Sequence, residues 1–404
     1  MSVDKSKDRD ASLGEPGFWQ KLFRKKSMES FFLFITSKCN SNCRTCFNHD
    51  NLNRNDDMSF DQIRTLSETA GYIDKLWLSG GEPFLREELV DIIELFVRNN
   101  GIKSINLPTN GLLKDRVVEW TGELLERCPK LAVYLNFSLD ALGETHDAIR
   151  GVPGNFAKTV AAMDAVYAAY GANPNLYINI ATVITTEGYD QVWPLASYVE
   201  AKGFSDLHIF EVVRGAPPDP SLKALTLDQV KDIHRRLYPI LDKDAKKLFK
   251  EFKGFQKKIA RMSYLGIMNL MFRIKEENFE GPHPWGFNCT AGKTTMVLDA
   301  NGDFRSCEMR PPIGNVGDYG YDAMKAYKSE TMKKEIADIG GGAKANCWCS
   351  HGCWINSSLK FSPRTLLGRI PKLAKEYEKL ADEGYKLPPV DIDEIEAYRD
   401  RITV

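Results

Sequence analysis

The chain has 404 residues, of which 43% are hydrophobic and 27% charged, and this is the composition of an ordinary globular protein. Lysine and arginine number 54 against 55 for aspartate and glutamate, so no protein-wide positive field for nucleic acid exists and no nucleic-acid partner is expected. The start is charged and has no apolar segment of the kind found in signal peptides. No stretch approaches the roughly 18 apolar residues of a membrane span, so we expect a cytoplasmic protein.

The first half of the chain alternates apolar strands with helical segments. Ser59-Phe-Asp-Gln62 is a capping box that predicts the start of a helix ending near residue 70. Six such alternations predict a parallel sheet with right-handed crossovers, either doubly wound or curled into a partial barrel. The predicted strands are 31–36, 74–79, 103–107, 132–139, 176–184 and 206–213, and the further helices lie near 87–98, 114–127, 155–170 and 189–203.

After a proline-rich linker at 214–220, the next fifty residues are predicted to be helical and locally basic. They carry an apolar stripe, and the segment Phe18–Lys26 likewise combines apolar anchors with cationic flanks. We expect both to pack on neighbouring elements, and the alternative is peripheral contact with a membrane. A hairpin turned at Asn301-Gly302 follows, and the last fifty residues are helical at first and then acidic and frayed. The stripe consists of Leu248, Phe252, Phe255 and Ile259.

The nine cysteines are clustered and odd in number, which favours metal or cluster ligation over a disulfide framework. Cys39, Cys43 and Cys46 form a CX3CX2C spacing in the loop after the first strand. Three thiolates leave one iron of a 4Fe–4S cluster without a protein ligand, and a small molecule can bind there. Half of a structural zinc site is the alternative, and Cys128 is predicted to be a packed thiol without a metal.

These cysteines and Ser79-Gly80-Gly81-Glu82-Pro83 after the second strand resemble the radical S-adenosylmethionine (radical SAM) superfamily over about residues 31–213. The resemblance implies a partial (β/α)6 TIM-like barrel with a 4Fe–4S cluster on the three cysteines. Glycines let a ligand's amino group approach the backbone, and a carboxylate balances its charge. The family usually has an aromatic residue directly before the third cysteine, near the adenine of the ligand. Here Thr45 stands at that position, and Phe47, directly after Cys46, is the aromatic residue next to it in the sequence. The implied S-adenosylmethionine contacts are Gly80, Gly81, Glu82, Pro83, Asn110, Ser138, Asp140, Arg150 and Phe47.

A second cysteine group resembles the opening of the auxiliary-cluster modules called SPASM and twitch. Five cysteines allow one auxiliary 4Fe–4S cluster, whereas the full SPASM pattern has seven, and a structural zinc knuckle is the alternative. Cys289 and Cys307 are expected ligands, completed by two of Cys347, Cys349 and Cys353. The predicted domains are an extension at 1–30, the barrel at 31–214, a helical connector at 215–285, the twitch-like module at 286–356 and a helical tail at 357–404.

The resemblance implies an enzyme that reductively cleaves S-adenosylmethionine to a 5′-deoxyadenosyl radical. This radical abstracts a substrate hydrogen, and the auxiliary cluster assists an oxidation or a bond formation. No catalytic residue is assigned beyond the cluster ligands, and an electron donor such as flavodoxin or ferredoxin is implied. The substrate stays open between a peptide, a small polar metabolite gripped by Glu211 and Arg214, and a lipid or lipid-linked molecule. A non-catalytic iron–sulfur or zinc scaffold is the alternative from another class.

Overall fold

The computed structural model describes residues 28–249, 252–340, 347–382 and 385–403. The basic segment Phe18–Lys26 therefore lies outside the described residues. The described chain divides into two compact units, one containing residues 28–224, 292–332 and 388–403 and the other residues 225–291 and 333–387. The domain boundaries inferred from the sequence remain a prediction.

The first unit is built around one sheet of nine strands. They are β1 (Ser30–Thr36), β2 (Lys75–Gly80), β3 (Ser104–Thr109), β4 (Ala132–Ser138), β5 (Leu176–Ile184), β6 (Leu207–Val212), β7 (Thr295–Leu298), β8 (Asp303–Arg305) and β9 (Gly314–Asn315). Their order in the sheet is β6-β5-β4-β3-β2-β1-β7-β8-β9, and β1 to β6 pair in parallel. A doubly wound sheet reverses its strand order near the middle, whereas β1 to β6 run in one direction as in a barrel. The predicted α/β fold of the partial-barrel type is confirmed.

Helices follow most strands of this sheet, and the local sequence explains where they begin. At Ser59 the hydroxyl accepts a hydrogen bond from the Gln62 amide while the Gln62 side chain accepts one from the Ser59 amide, as a capping box requires. Val133, Leu135 and Phe137 alternate along β4 and are at most 1% exposed, so one face of this strand is fully buried. The chain's helices are α1 (Phe60–Thr69), α2 (Leu89–Asn100), α3 (Lys114–Arg127), α4 (Gly143–Arg150), α5 (Asn155–Tyr170), α6 (Val192–Lys202), α7 (Leu227–Leu248), α8 (Gly254–Glu277), α9 (Ala323–Tyr327), α10 (Glu330–Ile339), α11 (Gly352–Leu359), α12 (Pro363–Gly368), α13 (Ile370–Asp382) and α14 (Ile392–Thr403).

The predicted hairpin at Asn301-Gly302 is present and extends the main sheet. Gly302 has φ +89° and donates its amide to the Asp299 carbonyl, which closes the turn between β7 and β8. Strand β7 pairs in parallel with β1, in the register Ser30 to Thr295. The hairpin that the sequence placed in a C-terminal module thus covers the edge of β1.

In the second unit α7 and α8 form an antiparallel hairpin. Three side-chain hydrogen bonds join the two helices at successive positions along their length. They are Asp242–Arg261, Tyr238–Asn269 and His234–Glu276. The α13 helix packs on both, and its Tyr377 hydroxyl donates to the Tyr238 carbonyl at 2.7 Å. None of the helices in the described ranges is both long and apolar enough to cross a bilayer.

The C-terminal residues correct the expectation of a frayed tail, because α14 packs on α4 and α5 of the first unit. The Tyr398 hydroxyl donates to Asp147 at 2.8 Å, and Arg399 donates to Asp164 at the same distance. Tyr398 and Arg399 find their partners more than two hundred positions away in the chain. The acidic composition of the tail therefore could not predict that α14 packs on the first unit.

Candidate functional site

The loop that carries Cys39, Cys43 and Cys46 follows β1 and is closed at its base. Asn53 adopts a left-handed conformation with φ +55°, and its side chain accepts the Cys39 amide at 2.9 Å. Its own amide donates to the Ser37 carbonyl, so the two ends of the loop meet. All three thiols are half-buried, so each keeps access for a ligand.

The Gly80-Gly81-Glu82 backbone lies directly against the residues that lead into this loop. The Gly81 amide donates to the Thr36 carbonyl and the Glu82 amide to the Lys38 carbonyl, both at 2.8 Å. A Cβ atom on Gly81 would lie 2.0 Å from the Lys38 carbonyl oxygen, and one on Gly80 would lie 2.3 Å from that of Thr36. Both positions therefore require glycine, because the second strand must approach the cysteine loop this closely. Pro83 starts the short 3-10 turn that follows.

Glu82 is buried and connects the second strand end to the third. Its carboxylate accepts the Asn110 amide at 2.7 Å and the Phe84 amide at 3.3 Å. Burial raises the pKa of Glu82 to about 7, against the lowering effect of these hydrogen bonds. The Asn110 side chain in turn donates to Asn40 and Ser41, which places this residue against the cysteine loop.

Asp140 and Arg150 form a buried ion pair beside the same loop. The Asp140 carboxylate has no exposed surface, and it accepts the Val183 amide at 2.8 Å. Its other oxygen lies 2.7 Å from the Arg150 Nε as an ion pair. The Arg150 Nη1 reaches toward the Cys43 Sγ at 3.8 Å. The Asn42 amide donates to the Arg150 carbonyl, so α4 contacts the cysteine loop through backbone as well as side chain. Asp140 therefore positions Arg150, which faces the thiols.

His146 and Asn155 hold this ion pair in place from behind, and sequence reasoning missed both. The Asp140 amide donates to His146 Nδ1 at 3.0 Å, so the ring proton is on Nε2 and is donated to Asn155 Oδ1 at 2.6 Å. Burial, together with the Arg150 charge, lowers the pKa of His146 to about 4. The ring is neutral near pH 7 and acts as a fixed polar connector.

The far end of the sheet also reaches the cysteine loop. The Arg214 guanidinium, just after β6, lies 5.9 Å from the centre of the Phe47 ring, and Phe34 meets that ring edge-on at 6.5 Å. Glu211 lies opposite Val183 in the β5–β6 pairing. The structure thus brings Phe47 and Arg214 together, although they were predicted for different roles.

Arg44, inside the CX3CX2C spacing, is a further residue that the sequence did not single out. It donates to Asp219 at 2.5 Å and to Glu187 at 2.7 Å, residues more than 140 positions away. Only the folded chain shows these partners. Ser138 lies half-buried at the end of β4, opposite Ala181. The ligand contacts assigned to Ser138 and to the other predicted S-adenosylmethionine residues remain predictions.

The three thiols influence one another electrostatically. Burial, and after it the nearby Cys43, Glu82 and Cys46 charges, raise the pKa of Cys39 to about 12. Burial also raises the pKa of Cys46, while the Arg150 charge opposes this. Metal binding at this loop must therefore displace protons from the thiols.

The cysteines of the second group are divided between the two units. Cys307 lies in the first unit, where its Sγ accepts the Met309 amide at 3.4 Å. Cys289 lies in the second unit and is buried, and Trp285 donates to the Cys349 carbonyl at 2.9 Å. Cys347, Cys349 and Cys353 are half-buried. His351, between Cys349 and Cys353 in the sequence, is 2% exposed and is the N-cap residue that precedes α11. The ligand set of an auxiliary cluster remains a prediction.

The cysteine loop fits a 4Fe–4S cluster by the chemistry of its donors. Thiolates are the ligands that such clusters take, and the three thiols are accessible on one loop. The Arg150 guanidinium lies 3.8 Å from the Cys43 Sγ and so places a cation beside this donor. Within the described ranges, no three His, Cys, Asp or Glu side chains converge as ligands of a single metal ion.

Comparison with known proteins agrees with this geometry. Residues 33–199 match the model of the radical SAM superfamily, whose members use a 4Fe–4S cluster and S-adenosylmethionine. A GTP 3′,8-cyclase of Clostridium perfringens is 40% identical over 116 residues, which are 27% of this chain and 34% of that protein. A probable GTP 3′,8-cyclase of Methanococcus maripaludis is 29% identical over 212 residues, 51% of this chain and 65% of that protein. The chain thus spans about a third to two thirds of these relatives.

Solved structures share the fold. The structure of anSMEcpe with bound AdoMet has a TM-score of 0.57 and 17% identity, and the match covers 87% of this chain and 99% of that one. Streptococcus suis SuiB bound to S-adenosylmethionine has a TM-score of 0.50 and 14% identity over 78% of this chain and 68% of that one. Both likenesses concern the fold alone, since the identities are low.

Proposed function

We propose that this chain, whose residues 33–199 form a radical SAM domain, is an enzyme that cleaves S-adenosylmethionine reductively and removes a hydrogen atom from a substrate. The observation that carries the proposal is the convergence of the cysteine loop with the ends of β2, β3 and β4. Backbone bonds join Gly81 and Glu82 to that loop, and Arg150 is held beside Cys43 by a buried carboxylate.

Cys39, Cys43 and Cys46 would hold the cluster. When bound, the cluster supplies one electron to S-adenosylmethionine, which yields methionine and the 5′-deoxyadenosyl radical. Gly80 and Gly81 offer backbone without side chains to the ligand's amino group, and Arg150 offers a cation to its carboxylate. Two of the remaining predicted contacts act through a neighbour, because Glu82 holds Asn110 and Asp140 holds Arg150. The full set of remaining contacts is Glu82, Pro83, Asn110, Ser138, Asp140 and Phe47.

The second cysteine group would hold one auxiliary 4Fe–4S cluster. Cys289, Cys307 and two of Cys347, Cys349 and Cys353 remain the proposed ligands. This cluster would accept an electron from the substrate radical, so that the net reaction is an oxidation or a bond formation. Flavodoxin or ferredoxin is the proposed electron donor. Reduced thiols in such number suit the cytoplasm, which we propose as the location.

A peptide is the proposed substrate class. The likeness of the fold to anSMEcpe supports this proposal. The structure of anSMEcpe with a bound Cp18Cys peptide matches this chain with a TM-score of 0.56 and 16% identity. Glu211 and Arg214 follow the last parallel strand of the sheet, and Arg214 lies over Phe47. We propose these two residues as substrate contacts, whether the substrate is a peptide or a small polar metabolite.

The test combines iron content with product release. Anaerobically reconstituted wild-type protein should bind about eight irons, and the variant Cys39→Ala/Cys43→Ala/Cys46→Ala should bind about four. With dithionite, only the wild type should release methionine and 5′-deoxyadenosine, and short cysteine-containing peptides should stimulate this release more than sugar or aminocyclitol mixtures. The matched control is Cys128→Ala, which removes a buried thiol outside both groups and should behave as wild type.

Three outcomes would contradict parts of the proposal separately. Absence of 5′-deoxyadenosine from a protein with full iron content would favour a non-catalytic scaffold. About four irons plus zinc in the wild type would remove the auxiliary cluster and its electron-acceptor role. Stimulation by small polar metabolites alone would replace the peptide as substrate class.

A further inference from the structure

The closed end of the α7–α8 hairpin exposes four large apolar side chains. Leu248 is 38% exposed, Phe252 44%, Phe255 75% and Ile259 48%. The sequence predicted that this stripe packs on a neighbouring element, and the structure corrects that expectation. The stripe does not follow one helix, because α7 ends at Leu248 and α8 begins at Gly254. These four residues are called the hairpin tip below.

Packing behind the tip holds it in a fixed shape. The Phe249 ring meets the Phe252 ring edge-on at 5.7 Å and the Tyr264 ring at 6.0 Å. One turn further along, Arg261 on α8 donates to Asp242 on α7 at 2.5 Å. Leu248, Phe255 and Ile259 are therefore presented by the ends of two packed helices.

The charges around the tip are predominantly positive, with eight basic residues from Lys243 to Arg261 against two acidic ones, Asp244 and Glu251. Lys253 and Lys258 are exposed, Lys257 is half-buried, and no carboxylate pairs with any of the three ammonium groups in the part of the chain that the structure describes. No aspartate or glutamate occurs between Phe252 and Lys275. Arg261 differs from these lysines, because both Asp242 and Glu378 already neutralise it.

We propose that the hairpin tip binds the surface of an anionic lipid bilayer. Apolar side chains with flanking cations are the combination that enters the interface between headgroups and acyl chains, and each lysine adds attraction to anionic lipid. The exposure of Phe255 to water beside three further apolar side chains costs free energy, and this cost is removed when the side chains are buried. The basic segment Phe18–Lys26 of this chain carries the same sign of charge and does not complement the tip. The proposal concerns the second unit and is independent of the proposed reaction.

The test is co-sedimentation of the full chain with vesicles. The protein should bind vesicles that mix phosphatidylglycerol with phosphatidylcholine, and binding should weaken as salt is added. Pure phosphatidylcholine vesicles should bind it far less. Phe255→Ser should weaken binding about tenfold, from the loss of one buried aromatic side chain. The charge variant Lys253→Gln/Lys257→Gln/Lys258→Gln should weaken it about a hundredfold, at roughly fivefold per lysine.

Matched controls distinguish binding by the hairpin tip from nonspecific binding by exposed lysines or apolar side chains elsewhere on the protein. Tyr72→Ser removes a 39% exposed aromatic side chain from the first unit, and Lys103→Gln/Lys130→Gln/Lys158→Gln removes three exposed lysines there. Both should bind vesicles as the wild type does. Circular dichroism of each variant confirms that the helices are kept, and a chain lacking residues 1–27 should retain binding.

The proposal is overturned if tip variants with intact helices bind vesicles as strongly as the wild type. It is also overturned if removal of residues 1–27 abolishes binding, since that segment would then be the anchor. Binding to soluble polyglutamate but not to anionic vesicles would replace the bilayer by an acidic protein partner.

Discussion

The residues that decide the site are those that hold its chemical groups in position. Arg150 places its guanidinium 3.8 Å from the Cys43 Sγ, and it stays charged in a buried position because Asp140 lies against its Nε. Behind Asp140, His146 connects the ion pair to Asn155 as a neutral ring. Each of these groups is buried, so removing one partner leaves another unsatisfied.

Asp140→Asn tests the ion pair. The amide still accepts the Val183 amide proton but leaves Arg150 as an uncompensated buried charge, so the free energy of unfolding should fall by about 3 kcal/mol. Urea denaturation of the reconstituted protein measures this. Asp61→Asn, which breaks an exposed pair with Arg64, is the matched control and should change little. Equal effects of the two variants would contradict the role given to Asp140.

The pH dependence of stability tests His146. Its folded pKa of about 4 lies below the unfolded value near 6.5, so the unfolded state binds more protons between these pH values. The free energy of unfolding should therefore fall as the pH drops from about 6.5 to 4, by about 1.4 kcal/mol per pH unit at most. His146→Gln should flatten this slope, and exposed His283→Gln should leave it unchanged. A slope independent of His146 would show that the ring is not held neutral.

At the scale of elements, two segments that the sequence assigned to the C-terminal part of the chain support the site from outside the six parallel strands. Strand β7 pairs with β1, the strand that leads into the cysteine loop. Helix α14 packs on α4 and α5, and α4 carries Arg150. Asp147 accepts the Gly154 and Phe156 amides as well as the Tyr398 hydroxyl, so it joins the start of α5 to α14.

Tyr398→Phe tests this attachment. Loss of the hydroxyl removes one hydrogen bond to a carboxylate and should lower the free energy of unfolding by about 1–2 kcal/mol. Amide hydrogen exchange should rise in the turn between α4 and α5. Tyr72→Phe removes a similar bond to Asp74 from an exposed loop and should leave that exchange unchanged. Unaltered exchange in Tyr398→Phe would mean that α14 does not restrain the turn.

At the scale of the whole molecule, the barrel does not coincide with a continuous stretch of chain. The compact unit that contains the six parallel strands also contains residues 292–332 and 388–403. The β7–β9 strands cover the edge of β1 that would otherwise present unpaired backbone groups. We therefore expect the folding of the cysteine loop to depend on residues 292–332 and 388–403.

A chain ending at residue 214 tests that coupling. Lacking β7 and α14, it should have no cooperative thermal transition by circular dichroism and should aggregate at concentrations where the full chain stays in solution. A fragment that unfolds cooperatively would instead support the independent barrel at 31–214 that the sequence suggests.

Periodicity and spacing are properties of residues that are close in the chain. The sequence by itself therefore predicted most helices and strands of the sheet and the cysteine spacing typical of a 4Fe–4S cluster site. The β5 strand at Leu176–Ile184 and the α3 helix at Lys114–Arg127 have the predicted bounds, and the buried residues of α3 recur at helical spacing. The CX3CX2C spacing likewise identified the loop. The ligand contacts of Gly80 and Gly81 stay predictions, and only the structure shows that both glycines pack against Thr36 and Lys38.

Only the tertiary structure decided which distant groups meet. Arg44 finds Asp219 across 175 positions, β7 reaches β1, and the stripe around Phe255 is left exposed instead of packed. No local pattern encodes these pairings, because they depend on the path of the chain and on which surfaces other elements leave uncovered. The sequence predicted the chemistry of the site, and the fold decided which residues hold it in place.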